Sequence, residues 1–212
     1  MSERGPDTSG RPGVRAVEAK DISRLTDVLV AAFYDDPVTI YLFPSERSRK
    51  RRLERYFRLQ LKRIGSMGGL ALTTDDLDGV SLWLLPKRRE PSFAAAIGQL
   101  FGVASILGAS TGRAVALSDQ LYRIRPKEAH FYLAGIGVDP PRQRTGLGSL
   151  LLGPMLARAD EEALPVYLES SREENISFYL RHRFEVTGEV GSLKGSSPRL
   201  WCMRRPPSLR EP

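Results

Sequence analysis

Apolar positions change their spacing along the chain, and each change marks a new element. Ile22, Leu25, Val28, Leu29, Ala32 and Phe33 recur every three to four residues, which predicts a helix with one buried face, and Asp21 stands where its cap belongs. Val14 to Ala19 reads as a strand before it. Asp36 and Pro37 form a cap and first residue for a short helix over Val38 to Leu42. From Ser45 a longer helix buries Leu53, Phe57, Leu61 and Ile64, with Tyr56 beside them, until Gly65 to Gly69 breaks it. Leu70 to Thr73 and Gly79 to Leu85 are the strands of a hairpin, Pro86 to Pro91 is loop, and Phe93 to Tyr122 reads as two helices broken around Gly108 to Gly112. Then follow a strand (Phe131 to Val138), a helix (Gly146 to Glu162) that Pro154 should kink, a strand (Val166 to Ser170), a short helix (Asn175 to Arg181) and strands at Phe184 to Gly188 and Leu200 to Arg204. This order predicts α/β or α+β architecture with a partly antiparallel sheet.

The stretch from Ala129 to Leu156 organises the rest. Its apolar strand is stopped by Asp139-Pro140-Pro141, and Gln143-Arg144-Thr145-Gly146-Leu147-Gly148-Ser149 opens an apolar helix. A strand, a glycine-bearing loop and a helix N-terminus together make an anion site, because unpaired N–H groups and the positive end of the helix dipole face outward. The pattern Q-x-x-G-x-G is neither the G-x-x-x-x-G-K loop nor the G-x-G-x-x-G loop of the common nucleotide folds. A turn with a purely structural role would have similar composition, so a second motif matters. Leu168-Glu169-Ser170-Ser171 is followed by Asn175, Phe178-Tyr179 and Arg183-Phe184, and Asn175 and Tyr179, four apart, share a helix face. Taken alone, Asn175 would be a helix cap and Tyr179 a core aromatic.

Length and composition narrow the classes. A chain of 212 residues with 41% hydrophobic content suits one domain, residues 13–205, between tails at 1–12 and 206–212. The single cysteine, Cys202, excludes an internal disulfide and fits a reducing compartment, so a cytoplasmic location is expected. Met1 to Pro12 is polar and lacks a signal-peptide core, and the apolar run Phe93 to Ala109, interrupted by Gly98, Gln99 and Gly102, is too short for a membrane helix. His130 and His182 lack zinc-site spacing, and no metal is expected. The net charge is +7, and from Glu46 to Arg63 there are nine basic residues against two acidic; removing these from the chain's 32 and 25 leaves 23 of each. One helix therefore carries the whole excess. A solvated face is the ordinary explanation of such a run, an acidic partner the sharper one, and nucleic acid is not expected.

The two motifs together resemble the GNAT superfamily of acyl-CoA-dependent N-acyltransferases. The pieces Arg125-Pro126-Lys127-Glu128, V-D-P, G-L-G-S, L-E-S-S, N-x-x-F-Y, F-E-V-T and P-R-L-W-C-M-R-R resemble, within it, the puromycin N-acetyltransferase group; the likeness is strong from about Arg125 to Arg205 and weaker over Val14 to Phe101, where A-F-Y-D-D-P is its best piece. The resemblance implies a mixed, mostly antiparallel sheet of about six to seven strands flanked by helices, with residues 13–125 as the acceptor-side half and 126–205 as the acetyl-CoA half. It implies acetyl-CoA as co-substrate, held by Ile136, Gly137 and Val138 on the strand, Gln143, Arg144, Thr145, Gly146, Leu147, Gly148 and Ser149 in the loop, and Asn175 and Tyr179 on the short helix. Two positions depart from the family pattern. Arg144 stands where glycine often follows the glutamine, adding a charge at the anion site, and Arg183 stands where glycine often precedes the Phe, replacing the residue that most readily takes a left-handed cap.

The implied chemistry is direct transfer to a primary amine of a small molecule, such as an aminonucleoside antibiotic. Strand N–H groups around Ile136 to Val138 polarise the thioester carbonyl, and Tyr179 protonates the leaving thiolate. The amine must lose a proton; Glu128, His130 and Glu169 are the candidate bases, directly or through water. Phe33, Asp35, Asp36 and Glu169 are candidate acceptor contacts. Other acceptors are a protein N-terminus, a lysine or a polyamine. A sensor or nucleic-acid-binding protein using the 46–63 helix is the alternative of a different class. Monomer and homodimer both stay open.

Overall fold

The computed structural model describes residues 13–86, 102–191 and 197–208. The expected tail at 1–12, the loop after Pro86, the start of the Phe93 to Tyr122 helices and the end of the C-terminal tail lie outside these residues. Seven strands form one sheet: β1 (Val14–Ala16), β2 (Gly69–Thr74), β3 (Gly79–Leu84), β4 (Phe131–Val138), β5 (Val166–Ser170), β6 (Glu185–Val190) and β7 (Leu200–Arg205), in the order β1-β2-β3-β4-β5-β7-β6. Every neighbouring pair is antiparallel except β4 with β5. The helices are α1 (Ile22–Phe33), α2 (Pro37–Leu42), α3 (Glu46–Arg63), α4 (Thr111–Ile124), α5 (Leu147–Glu161) and α6 (Ile176–Arg181), with a further helical stretch at 102–107.

Strand alternation divides the core into two layers. Ala71, Val80 and Leu82 face Leu25 and Leu29 of α1 and Leu53, Phe57 and Leu61 of α3. Leu72, Trp83, Phe131, Leu133, Val166 and Leu168 face the other way, onto Leu152, Met155, Leu156 and Ala159 of α5 and onto Tyr179 of α6. β3 is buried along its whole length, as a strand covered on both faces must be. α5 runs unbroken through Pro154. Two local expectations are corrected. The first strand stops at Ala16, and Asp21 makes no side-chain cap to α1; its buried carboxylate is instead taken by Arg15 at 2.6 and 3.1 Å, which holds its pKa below the usual carboxylate range. Asp36 does cap α2, accepting from the N–H groups of Val38 and Thr39, with Pro37 as the first helical residue.

Candidate active site

The chain turns from β4 into α5 through a loop fastened by its own side chains. The Asp139 N–H donates to the Asp78 carbonyl at 2.8 Å, Arg142 Nε donates to the Asp78 carboxylate at 2.8 Å, and Gln143 Nε2 reaches back to the Val138 carbonyl at 3.1 Å. Thr145 Oγ1 donates to the Arg142 carbonyl at 2.7 Å. Arg144 and Gly146 both take left-handed backbone, with φ of 62° and 89°. This winding leaves the N–H groups of Arg144 through Ser149 without an acceptor among the described residues; the first to find one is Leu150, which donates to the Gly146 carbonyl. Arg144 and Arg181, beside them, have no ion-pair partner among the described residues. Six free donors at a helix N-terminus with two unpaired guanidinium groups suit a diphosphate.

β4 and β5 are paired at only two rungs, Phe131 with Val166 and Tyr132 with Tyr167, and then diverge. A bulge at Ala134, between the Leu133–Trp83 and Gly135–Leu82 pairs, increases the local twist of β4. The fork opens into a cleft of about 870 Å³, within the range of cofactor sites. Its walls are Ile136, Gly137 and Val138 of β4; Gln143, Arg144 and Gly146 to Ser149 of the loop; Phe33, Asp35 and Asp36 after α1; and Asn175, Phe178, Tyr179 and Arg181 around α6. A pantetheine-like chain carries amides that the free β4 edge can accept as a sheet neighbour would.

Tyr179 is buried against Phe178 and Phe184, at ring separations of 5.1 and 5.7 Å, and its hydroxyl makes no hydrogen bond among the described residues. Burial raises its pKa, so the hydroxyl keeps its proton at neutral pH. Its aim is set by a C-terminal cap of α6: Phe184 N–H donates to the Tyr179 carbonyl at 3.1 Å and Arg183 N–H to the Leu180 carbonyl at 2.9 Å. This is a Schellman cap, and Arg183 holds its left-handed position with φ of 66°. The departure from glycine thus leaves the cap intact. Gly148 matters for a different reason, since a Cβ there would stand 3.1 Å from the Phe178 ring, which would have to give by a few tenths of an ångström.

The remaining candidates separate. Thr145, Glu128, His130 and Glu169 do not line the cleft. Glu128 is exposed and paired with Arg204 at 2.8 Å, and His130 Nδ1 lies 2.7 Å from the Glu128 carbonyl oxygen. Glu169, with its side chain only 5% exposed, is held at the fork: the Tyr132 hydroxyl donates to it at 2.7 Å and Arg125 Nη2 at 3.1 Å, with the Arg125 guanidinium 4.0 Å over the Tyr132 ring. Burial, and next the Glu169 charge, push the Tyr132 pKa up. Asp36 is buried, and besides capping α2 it accepts from Ser171 Oγ across the cleft mouth. Sequence reading passed over Tyr132 and Arg181 and weighed His182 only as a zinc ligand. His182 Nε2 lies 2.8 Å from Ser149 Oγ, and its pKa is lowered by burial and by Arg181 and Arg205. Tyr132 could have been noticed as the polar end of an otherwise apolar strand; Arg181 and His182 gave no sequence signal. Cys202 is buried in the sheet, its thiol pKa raised by burial.

A sequence profile of the acetyltransferase (GNAT) family matches residues 74–184, just over half of the chain. The chain belongs to this family. GNAT acetyltransferases take acetyl-CoA as co-substrate, and the free donors and unpaired strand edge described above fit its diphosphate and its amides. The seven-stranded, mostly antiparallel mixed sheet flanked by helices is a GNAT fold. The chain is 28% identical over 176 residues to an uncharacterized N-acetyltransferase of Schizosaccharomyces pombe, covering 78% of this chain and 71% of that one. It is similar to the crystal structure of histone acetyltransferase HPA2 and related acetyltransferase from Corynebacterium glutamicum, with 27% identity, a TM-score of 0.71 and coverage of 94% and 98% of the two chains. Arylalkylamine N-acetyltransferase 2 from Aedes aegypti shares the fold, with a TM-score of 0.61 at 12% identity, covering 91% of this chain and 97% of that one. Among the described residues, no helix is long and apolar enough to cross a membrane.

Proposed function

We propose that the chain transfers the acetyl group of acetyl-CoA to the primary amine of a small molecule in the cytoplasm, with an aminonucleoside such as puromycin as the first acceptor to test. The carrying observation is that one cleft is lined at one end by Arg144 and Gly146 to Ser149, whose N–H groups have no acceptor among the described residues, and also holds an unpaired strand edge and a protonated, buried tyrosine. In this reading the loop from Gln143 to Ser149 binds the diphosphate, and the N–H groups of β4 around Ile136 to Val138 polarise the thioester carbonyl. Asn175 orients the pantetheine arm. The neutral amine adds to the carbonyl carbon, the C–S bond breaks as the amide forms, and Tyr179 gives its proton to the departing sulfur. Glu169 receives the amine proton, directly or through water, because of the three candidate bases it alone stands beside the fork. Residues 126–205 serve as the acetyl-CoA half, and residues 13–125 as the acceptor half, which reaches the cleft through Phe33, Asp35 and Asp36.

A second reading, a protein amine as acceptor, is favoured by the name of the Corynebacterium relative. The deciding experiment follows release of free CoA thiol with puromycin, other small amines, polyamines and lysine or N-terminal peptides side by side. Turnover with puromycin alone supports the first reading, turnover with peptides alone the second, and no turnover with any amine while acetyl-CoA still binds refutes both.

A further inference from the structure

The nine basic residues of the 46–63 segment do not act as one population. Arg49 is only 4% exposed: its guanidinium donates to the Phe43 carbonyl at 2.9 Å and the Pro44 carbonyl at 3.3 Å and lies over the Tyr34 ring. Arg52 turns toward the Leu107 carbonyl. Arg47, Arg51, Arg55, Arg58 and Lys62, by contrast, are exposed. At 100° per residue these five fall within an arc of about 80° on the helix, centred about 120° round from the stripe of buried Leu53, Phe57 and Leu61, and they run for about 22 Å along its axis. Every position on that arc is basic, and none has an ion-pair partner among the described residues, although other exposed arginines such as Arg123, Arg158 and Arg199 are paired.

We propose that this face of α3 is a docking surface for the phosphate backbone of a nucleic-acid duplex, engaged without regard to base sequence. Charge complementarity requires a polyanion, and the evenly stepped, mostly guanidinium row suits regularly spaced phosphates. A protein partner would need an apolar centre to the interface, and Ser48, Lys50 and Glu54 flank the row instead. A membrane surface would need the apolar side of the helix, which the core has taken. With no exposed aromatic residue in the row there is nothing to stack on unpaired bases, which favours duplex over single strand. The surface is separate from the acetyl-transfer cleft and stands whichever amine that cleft accepts.

The test is fluorescence anisotropy of the full chain with a labelled DNA duplex of about 20 base pairs, titrated between about 50 and 200 mM salt. Five phosphate contacts give a log–log salt slope near −4.5, a loss of roughly 500-fold in affinity across that range. Arg55→Gln should reduce the slope by about 0.9, and changing all five to Gln, a residue that keeps helix propensity, should abolish binding. Unchanged acetyl-CoA binding and far-ultraviolet circular dichroism establish that a variant is folded; if the fivefold variant is not, Arg55→Gln/Arg58→Gln decides. Arg123→Gln/Arg158→Gln, which removes the same charge elsewhere, should have little effect. The proposal is overturned by absence of duplex binding at low salt, by a row variant that binds as well as the parent, by equal losses in the Arg123/Arg158 control, or by polyglutamate or anionic vesicles displacing the duplex at equal charge.

Discussion

Arg183 and Arg144 occupy left-handed backbone that glycine adopts freely, and replacing each with glycine separates a backbone effect from a side-chain effect. An L-residue in this conformation costs about 1–2 kcal/mol. Glycine returns about 0.4–1 kcal/mol of that through its greater freedom in the unfolded chain. Arg183 is exposed and among the described residues its side chain bonds only Ser208, a contact at the surface that contributes little. The net expectation for Arg183→Gly is about 0.5–1 kcal/mol of stabilisation, or a rise of roughly 1–4 °C in Tm for a chain of this size. Its kinetics should not change, because the cap hydrogen bonds at Tyr179 and Leu180 come from backbone. Arg144→Gly should give a similar rise in Tm but also lift the KM for acetyl-CoA, by at most about fivefold, the range of a solvent-exposed charge pair. Differential scanning calorimetry with steady-state kinetics reads both. A Tm for Arg183→Gly equal to or below the parent, with the fold retained, refutes the strain argument; an unchanged KM for Arg144→Gly removes Arg144 from the diphosphate site.

Tyr179→Phe should lower kcat by about 10²–10⁴-fold with Tm and acetyl-CoA affinity unchanged, since its hydroxyl has no partner among the described residues and the ring contacts survive; stopped-flow thiol release and ligand binding check this. Asp36→Ala removes a buried cap and the acceptor of Ser171 Oγ, and should cost about 1–2 kcal/mol in urea unfolding, with Asp36→Asn recovering part of it. His182 has a native pKa held below its unfolded value, so as pH falls through about 6.5 the unfolded chain binds a proton that the native chain refuses, and stability declines. His182→Gln should flatten that acid-side loss in unfolding curves collected from pH 7.5 to 5, and a parallel decline in both proteins would assign it elsewhere.

Much of this site was readable in the chain because its parts are local. A proline stop, two glycines and an apolar run place a strand, a loop and a helix in succession, and backbone geometry supplies the donors. Asn175 and Tyr179 reach the cleft together because four residues make one helical turn. What stayed hidden depends on contacts between distant segments. Asp21 looks like a cap from its neighbours, but Arg15 takes its carboxylate. Glu169 looks like any strand-end acid until Tyr132 and Arg125, 37 and 44 residues away, close around it. The pairing of His182 with Ser149 spans 33 residues and follows no spacing rule. The basic helix was legible as composition, yet only the fold shows which of its guanidinium groups turn inward.

The two-rung junction between β4 and β5 also has a thermodynamic consequence. Two parallel rungs are a slender bridge between the two halves of a seven-stranded sheet. A ligand whose amides occupy the open strand edge adds rungs that the polypeptide lacks, so its binding energy becomes cohesion between the halves. At a hundred times its Kd such a ligand adds about 2.7 kcal/mol to global stability. The slowest-exchanging amides of β4 would then report cofactor supply, and in a cell whose acyl-carrier pool runs low the protein would become easier to degrade before it became short of substrate.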